Sequence, residues 1–382
     1  METVKLTLKA AADMLRDSDN ILLLMHARPD GDTVGSAIAL ETALRALGKR
    51  AYAVCDDDLP ERLMFILKFR GGESSCADDI SGGSTDAQTD SGCTACADAH
   101  TEPDCIECTD ALNAEDKLGT DILRPENLPE DFVPELTVTV DVASAELLGD
   151  IGGKLEGKID LKLDHHPMGT DFAKYSLIYP GASACGELIF DLVSELGALS
   201  RPVARAVYAA ISSDSGSFRF DSVTAMTHER AAKLLRMDIS HGKITEALYN
   251  TKTLGELAAE ALAIDNLRMY CGGKIALTVV TLADMERRGV SKDDTGGING
   301  MPMCIRGVVI SLVLKQDQDS RFWKLSVRTG DGAAANEICA QFGGGGHVRA
   351  AGCRFKAASH EEAVKAVLDA VSSVTGLRIT QD

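Results

Sequence analysis

The chain has 382 residues, 45% of them hydrophobic and 25% charged, with 58 Asp and Glu against 39 Lys and Arg for a net charge of −19. That composition is that of a soluble globular protein long enough for two domains with cores of their own. It speaks against a long nucleic-acid duplex as partner. No apolar run reaches the roughly 20 residues of a membrane span.

The N-terminal stretch 1–19 lacks the basic, apolar and small-residue regions of a secretory signal and reads as a short amphipathic helix. With eleven cysteines, a cytoplasmic, reducing location is expected. Ile21 to Met25 is an apolar run expected to form a buried strand. Thr33 to Leu47 has apolar residues at helical spacing and ends at Gly48, a C-cap signal. A short strand is expected over Arg50–Cys55. The composition then changes: sixteen Asp/Glu but only Lys117 and Arg124 fall between Gly71 and Asp131, which places −14 of the net charge there. Residues 71–121, rich in Gly, Ser, Asp and Cys, read as an acidic insertion without a core.

Strands are expected again at Leu136–Val140 and Ile159–Leu163, with a short helix at Ala145–Leu148 between them. Ala182–Leu196, Pro202–Ser212 and Thr224–Met237 read as helices. Alternation of this kind predicts an α/β fold with a mainly parallel sheet flanked by helices over residues 1–240. A helical connector is expected over 241–270. A smaller α/β domain is expected over 271–382, with strands at Lys274–Thr281, Ile305–Leu314 and Phe322–Arg328 and helices at Ala333–Phe342 and Ser359–Val374.

Chemistry gathers where the strands end. His26, Asp30 and Asp32 follow the first apolar run, Asp141 the next, and Asp164, His165 and His166 the third. Three such strand ends predict one cluster at the carboxyl edge of the sheet. Oxygen and imidazole donors of this kind suit divalent metals. Taken alone, Asp30-Gly31-Asp32 also reads as a turn in which Asp32 caps the next helix. Asp214 ends an apolar helix, where a carboxylate opposes the helix dipole unless a cation is near. Gly343 to Gly346, followed by His347 and Arg349, could bring backbone amides and a guanidinium to a phosphate. Taken alone, the four glycines would equally be a hinge.

The motifs His26-Ala-Arg-Pro-Asp30-Gly-Asp32, Asp141-Val-Ala-Ser, Asp164-His165-His166-Pro, Asp214-Ser-Gly and the Gly343–Gly352 segment occur in the order found in the DHH superfamily of phosphoesterases. The chain resembles that superfamily over nearly its whole length except the insertion, and within it the stand-alone nanoRNase and pAp phosphatase group. The resemblance implies a hydrolase of phosphoric esters with two Mn²⁺ ions bridged by Asp141. It implies His26, Asp30 and Asp141 on one ion and Asp32, Asp141, His165 and Asp214 on the other. Asp164 would fix a histidine, and His166 would contact the scissile phosphate or the leaving oxygen. Arg219, Arg328, Gly343, Gly344, Gly345, Gly346, His347 and Arg349 would bind substrate, which the C-terminal domain selects. Expected partners are short oligonucleotides and phosphorylated nucleotides, with no long duplex and no membrane; a homodimer stays open. Competing readings are a soluble cyclic- or linear-dinucleotide phosphodiesterase, a RecJ-like exonuclease, a manganese pyrophosphatase and a non-catalytic nucleotide sensor.

The insertion carries Cys93-x2-Cys96 and Cys105-x2-Cys108. Such paired motifs can close a tetrahedral zinc site. Cys76 and His100 are alternative ligands, and an iron–sulfur cluster or a metal-free loop fits the same spacing. Cys55, Cys185, Cys271, Cys304, Cys339 and Cys353 are scattered, as small core residues would be.

Overall fold

The computed structural model describes residues 3–70 and 124–382. The acidic insertion, with Cys93, Cys96, Cys105 and Cys108, lies outside the described residues. The chain divides into two units, Met1–Asn250 and Thr251–Asp382.

In the first unit the chain runs β1 (Val4–Lys5), α1 (Leu8–Asp17), β2 (Asn20–Leu24), α2 (Gly31–Ala46), β3 (Arg50–Val54) and α3 (Met64–Leu67). It continues with β4 (Leu136–Val140), α4 (Asp150–Lys154), β5 (Leu161–Asp164), β6 (Tyr175–Ile178), α5 (Cys185–Glu195), α6 (Arg201–Asp214), α7 (Ala225–Leu235) and α8 (His241–Thr245). The strands form one sheet of order β1-β6-β5-β4-β2-β3, parallel at every pairing.

Burial on both faces explains why these strands read as unbroken apolar runs. Ile21, Leu23, Val138 and Val140 pack with Leu15 of α1, Ile38 of α2, Ile189 of α5 and Val207 of α6. Leu22, Leu24, Tyr52 and Val54 point to the opposite face, against Phe132, Leu148 and Ile151. Parallel pairing puts the carboxyl ends of β2, β4 and β5 along one edge, which is what positions the site.

The N-terminal stretch expected as a helix alone adds strand β1 ahead of α1, paired with β6. The expected helix at Ala145–Leu148 is a 3₁₀ turn. Helix α5 begins at Cys185 rather than Ala182, because the carbonyl of Ala182 and the amide of Ser183 are engaged by His165 and Glu187. The cap of α2 is Asp30 rather than Asp32: Asp30 Oδ1 accepts from the amides of Asp32 and Thr33, each at 3.0 Å.

The second unit comprises α9 (Leu254–Asp265), β7 (Leu267–Tyr270), β8 (Ile275–Val280), α10 (Leu282–Arg288), β9 (Ile310–Gln316), β10 (Phe322–Thr329), α11 (Ala335–Ala340), β11 (Gly345–His347), β12 (Ala350–Lys356) and α12 (His360–Thr375). Its sheet has the order β11-β12-β10-β9-β8-β7. All pairs are antiparallel except β8 with β9. Trp323, Leu325 and Val327 on one face bury against Val364, Val367 and Val371 of α12. Val280 and Val313 on the other bury against Ala259, Leu262 and Ala263 of α9.

The segment 241–270, expected as a connector, is divided between the units: α8 belongs to the first, α9 and β7 to the second. The strand expected from Ile305 starts only at Ile310, because Gly307 turns the chain at φ 91°. Of the six scattered cysteines, Cys55, Cys185 and Cys339 are buried, Cys271 and Cys353 are partly so, and Cys304 is exposed.

Candidate active site

The turns after β2, β4 and β5 meet at a recess of about 330 Å³ whose lining includes His26, Asp30, Asp141, His165, His166 and Asp214. Each histidine is anchored through Nδ1. His26 Nδ1–H donates to the Ala27 carbonyl at 2.9 Å, His165 Nδ1–H to the Ala182 carbonyl at 3.1 Å, and His166 Nδ1 lies 2.7 Å from Asp164 Oδ1. Anchoring at Nδ1 fixes the tautomer and leaves Nε2 as the free ring nitrogen, the arrangement metal-binding histidines adopt. His26 Nε2 is 3.9 Å from Asp30 Oδ1 and 3.8 Å from Asp141 Oδ2. His165 Nε2 is 3.9 Å from Asp32 Oδ2, 3.6 Å from Asp141 Oδ1 and 3.5 Å from Asp214 Oδ2.

Asp32 sits behind the recess, 1% exposed, against the N-terminus of α5. It accepts from the amides of Cys185 (2.6 Å) and Gly186 (3.0 Å) and from Ser36 Oγ (3.0 Å). Burial, followed by the charges of Asp214 and Asp30, still raises its pKa well above the ordinary carboxylate range. Asp141 is raised well above that range too, again by burial first and then by Asp32, Asp30, Asp214 and Asp164. Asp141 takes a left-handed backbone conformation, φ 62°, which a non-glycine residue holds only where its surroundings impose it. Its buried Oδ1 has no hydrogen-bond donor among the described residues. The missing side chain of Gly31 permits the close approach of the end of α6, which carries Asp214: a Cβ at Gly31 would lie 2.3 Å from Ser213 Oγ.

Asp164 has a different environment. Burial favours its neutral form, but the hydrogen bond and charge of His166, with the Lys162 ammonium, hold its pKa below the usual value. The hydrogen bond that His166 donates to Asp164 raises the pKa of His166 in turn.

The structure therefore brings together His26, Asp30, Asp32, Asp141, His165 and Asp214, with Asp164 and His166 beside them. His26, Asp30 and Asp141 form one possible ligand group, Asp32, His165 and Asp214 a second, and Asp141, His165 and His166 a third. Crowded buried carboxylates, an orphaned Asp141 oxygen and free imidazole nitrogens suit a divalent cation of hard or borderline character.

Arg219 donates to the Gly216 carbonyl and is not among the residues lining the recess. The other expected substrate residues belong to the second unit. Arg328 is half-buried and donates to the Val327 carbonyl, and burial lowers its pKa. Arg349 pairs with Asp331 at 2.5 Å, and His347 is exposed. The glycine run is a strand edge rather than a hinge: β11 pairs with β12 through Gly345, Gly346 and His347. A Cβ at Gly344 would stand 2.3 Å from Cys353 Cβ.

Sequence reasoning did not single out Arg28, which lines the recess. Its backbone is left-handed at φ 57° and its amide donates to Asp57 Oδ2 at 2.9 Å. The adjoining Pro29 gave no signal of this, since a residue before proline is expected to be extended. Lys162 and the α5 amides were also missed.

Residues 20–211 match the DHH family, N-terminal domain, and residues 272–375 the DHHA1 domain. The chain belongs to the DHH family, and the class this defines is a hydrolase of phosphoric ester bonds. It is 26% identical over 95% of its length, and 93% of the relative's, to the bifunctional oligoribonuclease and PAP phosphatase NrnA of Thermus thermophilus. It is 25% identical to the NrnA of Bacillus subtilis over 58% of this chain and 71% of that one. An exopolyphosphatase-related protein from Bacteroides fragilis shares the fold, with a TM-score of 0.77, 21% identity and coverage of 97% and 96% of the two chains.

Proposed function

We propose that this chain hydrolyses very short oligonucleotides and removes a phosphate from 3′-phosphoadenosine 5′-phosphate (pAp). The observation that carries the reading is the convergence of three Nδ1-anchored histidines and four carboxylates, Asp30, Asp32, Asp141 and Asp214, around one recess. The two NrnA relatives, whose names give both activities, support the choice of substrate.

In this reading His26, Asp30 and Asp141 would hold one Mn²⁺ ion, and Asp32, Asp141, His165 and Asp214 would hold a second. Such ions, when bound, lower the pKa of a water to give a nucleophile at neutral pH and neutralise phosphoryl oxygens. His166 keeps a proton on Nδ1 through Asp164, and that hydrogen bond raises its pKa. Nε2 is then free to give a proton to the departing oxygen as the P–O bond breaks. Arg28, at the recess, offers a guanidinium to a phosphoryl oxygen. Gly343 to Gly346, His347 and Arg349 of the second unit, with Arg328, would bind substrate. Short substrates suit a strongly acidic chain, because a few local cations can hold two phosphates while the overall field repels a long polyanion.

The test is incubation of the full chain with pAp and with an RNA dinucleotide in Mn²⁺, with products separated by chromatography. AMP plus inorganic phosphate from the first and mononucleotides from the second support the reading. Intact substrates in both reactions overturn it.

A further inference from the structure

Lys162 is a buried charge that the proposed chemistry does not use. Lys162 lies on β5 two residues before Asp164, so both side chains leave the strand on one face. It is 3% exposed, in a neighbourhood where Val142 and Phe172 belong to an apolar cluster. Its Nζ is 2.8 Å from the Ala143 carbonyl, 3.2 Å from Asp164 Oδ2 and 5.1 Å from the centre of the Phe172 ring. The chain passes directly over it: a Cβ on Gly169 would come within 2.9 Å of Nζ, and within 2.3 Å of the same Ala143 carbonyl. The Thr170 amide also donates to that carbonyl, at 3.0 Å.

For stability alone, a buried ion pair is often no better than apolar residues of the same volume. The use of the charge lies in how it divides the two oxygens of Asp164. Oδ1 accepts from the amides of His165 (2.9 Å) and His166 (3.3 Å) and faces His166 Nδ1. Oδ2 is buried without a hydrogen-bond donor of good geometry and has the Lys162 ammonium at ion-pair distance. We propose that Lys162 is a positioning residue for the hydrolysis assigned above. It holds Asp164 Oδ2 so that Oδ1 stays turned to His166, and through Ala143 it pins the turn that carries Asp141. Without the ammonium, Oδ2 is left buried with no partner, and rotation of the carboxylate to satisfy it weakens the bond that orients His166.

This inference rests on the phosphoesterase reading, so its test has one arm that needs turnover and one that does not. Lys162→Gln keeps a donor for the Ala143 carbonyl and removes the charge; Lys162→Arg keeps the charge. On an RNA dinucleotide with Mn²⁺, Lys162→Gln should lower kcat at least about ten-fold, with KM changed less than about two-fold. Lys162→Arg should restore most of the loss. In an Asp164→Asn background Lys162→Gln should add nothing, because the lysine acts through that carboxylate. The second arm is proton NMR of the metal-free protein. A far-downfield His166 Nδ1–H signal, identified by its loss in Asp164→Asn, should also be lost or moved in Lys162→Gln. An unchanged signal overturns the proposal even if the wild type turns over nothing, which would refute only the substrate reading. Wild-type kcat in Lys162→Gln, losses that multiply in the double variant, or failure of both Lys162 variants to fold would overturn it as well.

Discussion

Asp141→Asn separates the stability of the site from its function. Asparagine has nearly the same shape and tolerates the left-handed conformation that Asp141 adopts at φ 62°, so the turn after β4 survives. What changes is one negative charge, buried at 4% exposure and facing Asp32, Asp30, Asp214 and Asp164. In metal-free protein that charge is a burden, and the variant should unfold at a higher temperature than the wild type. With metal the order reverses. A cation present at a hundred times its Kd and bound only by the folded state stabilises by about 2.7 kcal/mol. For a unit of this size that is a rise of roughly 5–10 °C in Tm. The variant lacks the carboxylate shared by both proposed ions, so its rise should fall below about 2 °C. Thermal unfolding of chelator-treated protein, with and without added Mn²⁺, reads both effects. A variant less stable than the wild type without metal, with a wild-type Mn²⁺ response, would refute the reasoning.

Lys315 gives a pH prediction. Burial first, then Lys324 and Lys292, lower its pKa from 10.5 to about 8, so the unfolded chain binds more protons between those values. Stability of the second unit should therefore rise from pH 8 to 10.5, and the full cost is present below pH 8. A shift of this size corresponds to about 3 kcal/mol; allowing for the lost bonds to Thr295, Lys315→Met should gain about 1–3 kcal/mol at pH 7 and flatten the rise, as denaturant titration at several pH values would show. Gly344→Ala forces a methyl against Cys353 and the Gly352 carbonyl. It should cost about 1–3 kcal/mol in denaturant melts and raise KM more than it lowers kcat. Arg28→Gly relaxes a left-handed residue while deleting a guanidinium at the recess. Steady-state kinetics should show kcat/KM reduced roughly 10- to 100-fold, the value of a charge-assisted bond, with no loss of Tm.

Much of the site was legible because parallel strands buried on both faces announce themselves as apolar runs. Ile21–Met25, Leu136–Val140 and Ile159–Leu163 each point to the polar residues that follow, and parallel pairing does the rest. What sequence could not give was division of labour among identical side chains. Asp30 and Asp32 stand two residues apart, yet one caps α2 and the other is clamped by the amides of α5, more than 150 positions away. Lys162 sits in the strand pattern LKLD, where a single lysine reads as a surface residue; its burial follows from the return of the chain at Gly169. Arg28 gains importance from a backbone angle that composition does not encode. The 241–270 stretch reads as a connector because β7 is a short edge strand of Leu267–Tyr270 whose pairing with β8 becomes visible only in the sheet.

The most direct test of the central claim is a product assay in Mn²⁺ on a matched panel: an RNA dinucleotide, a long single strand, pAp, linear and cyclic dinucleotides, and pyrophosphate, with Asp141→Ala alongside. Turnover should be fastest for the dinucleotide and pAp and be abolished by the substitution. Preference for a cyclic dinucleotide, pyrophosphate or the long strand, or turnover that survives Asp141→Ala, would contradict it.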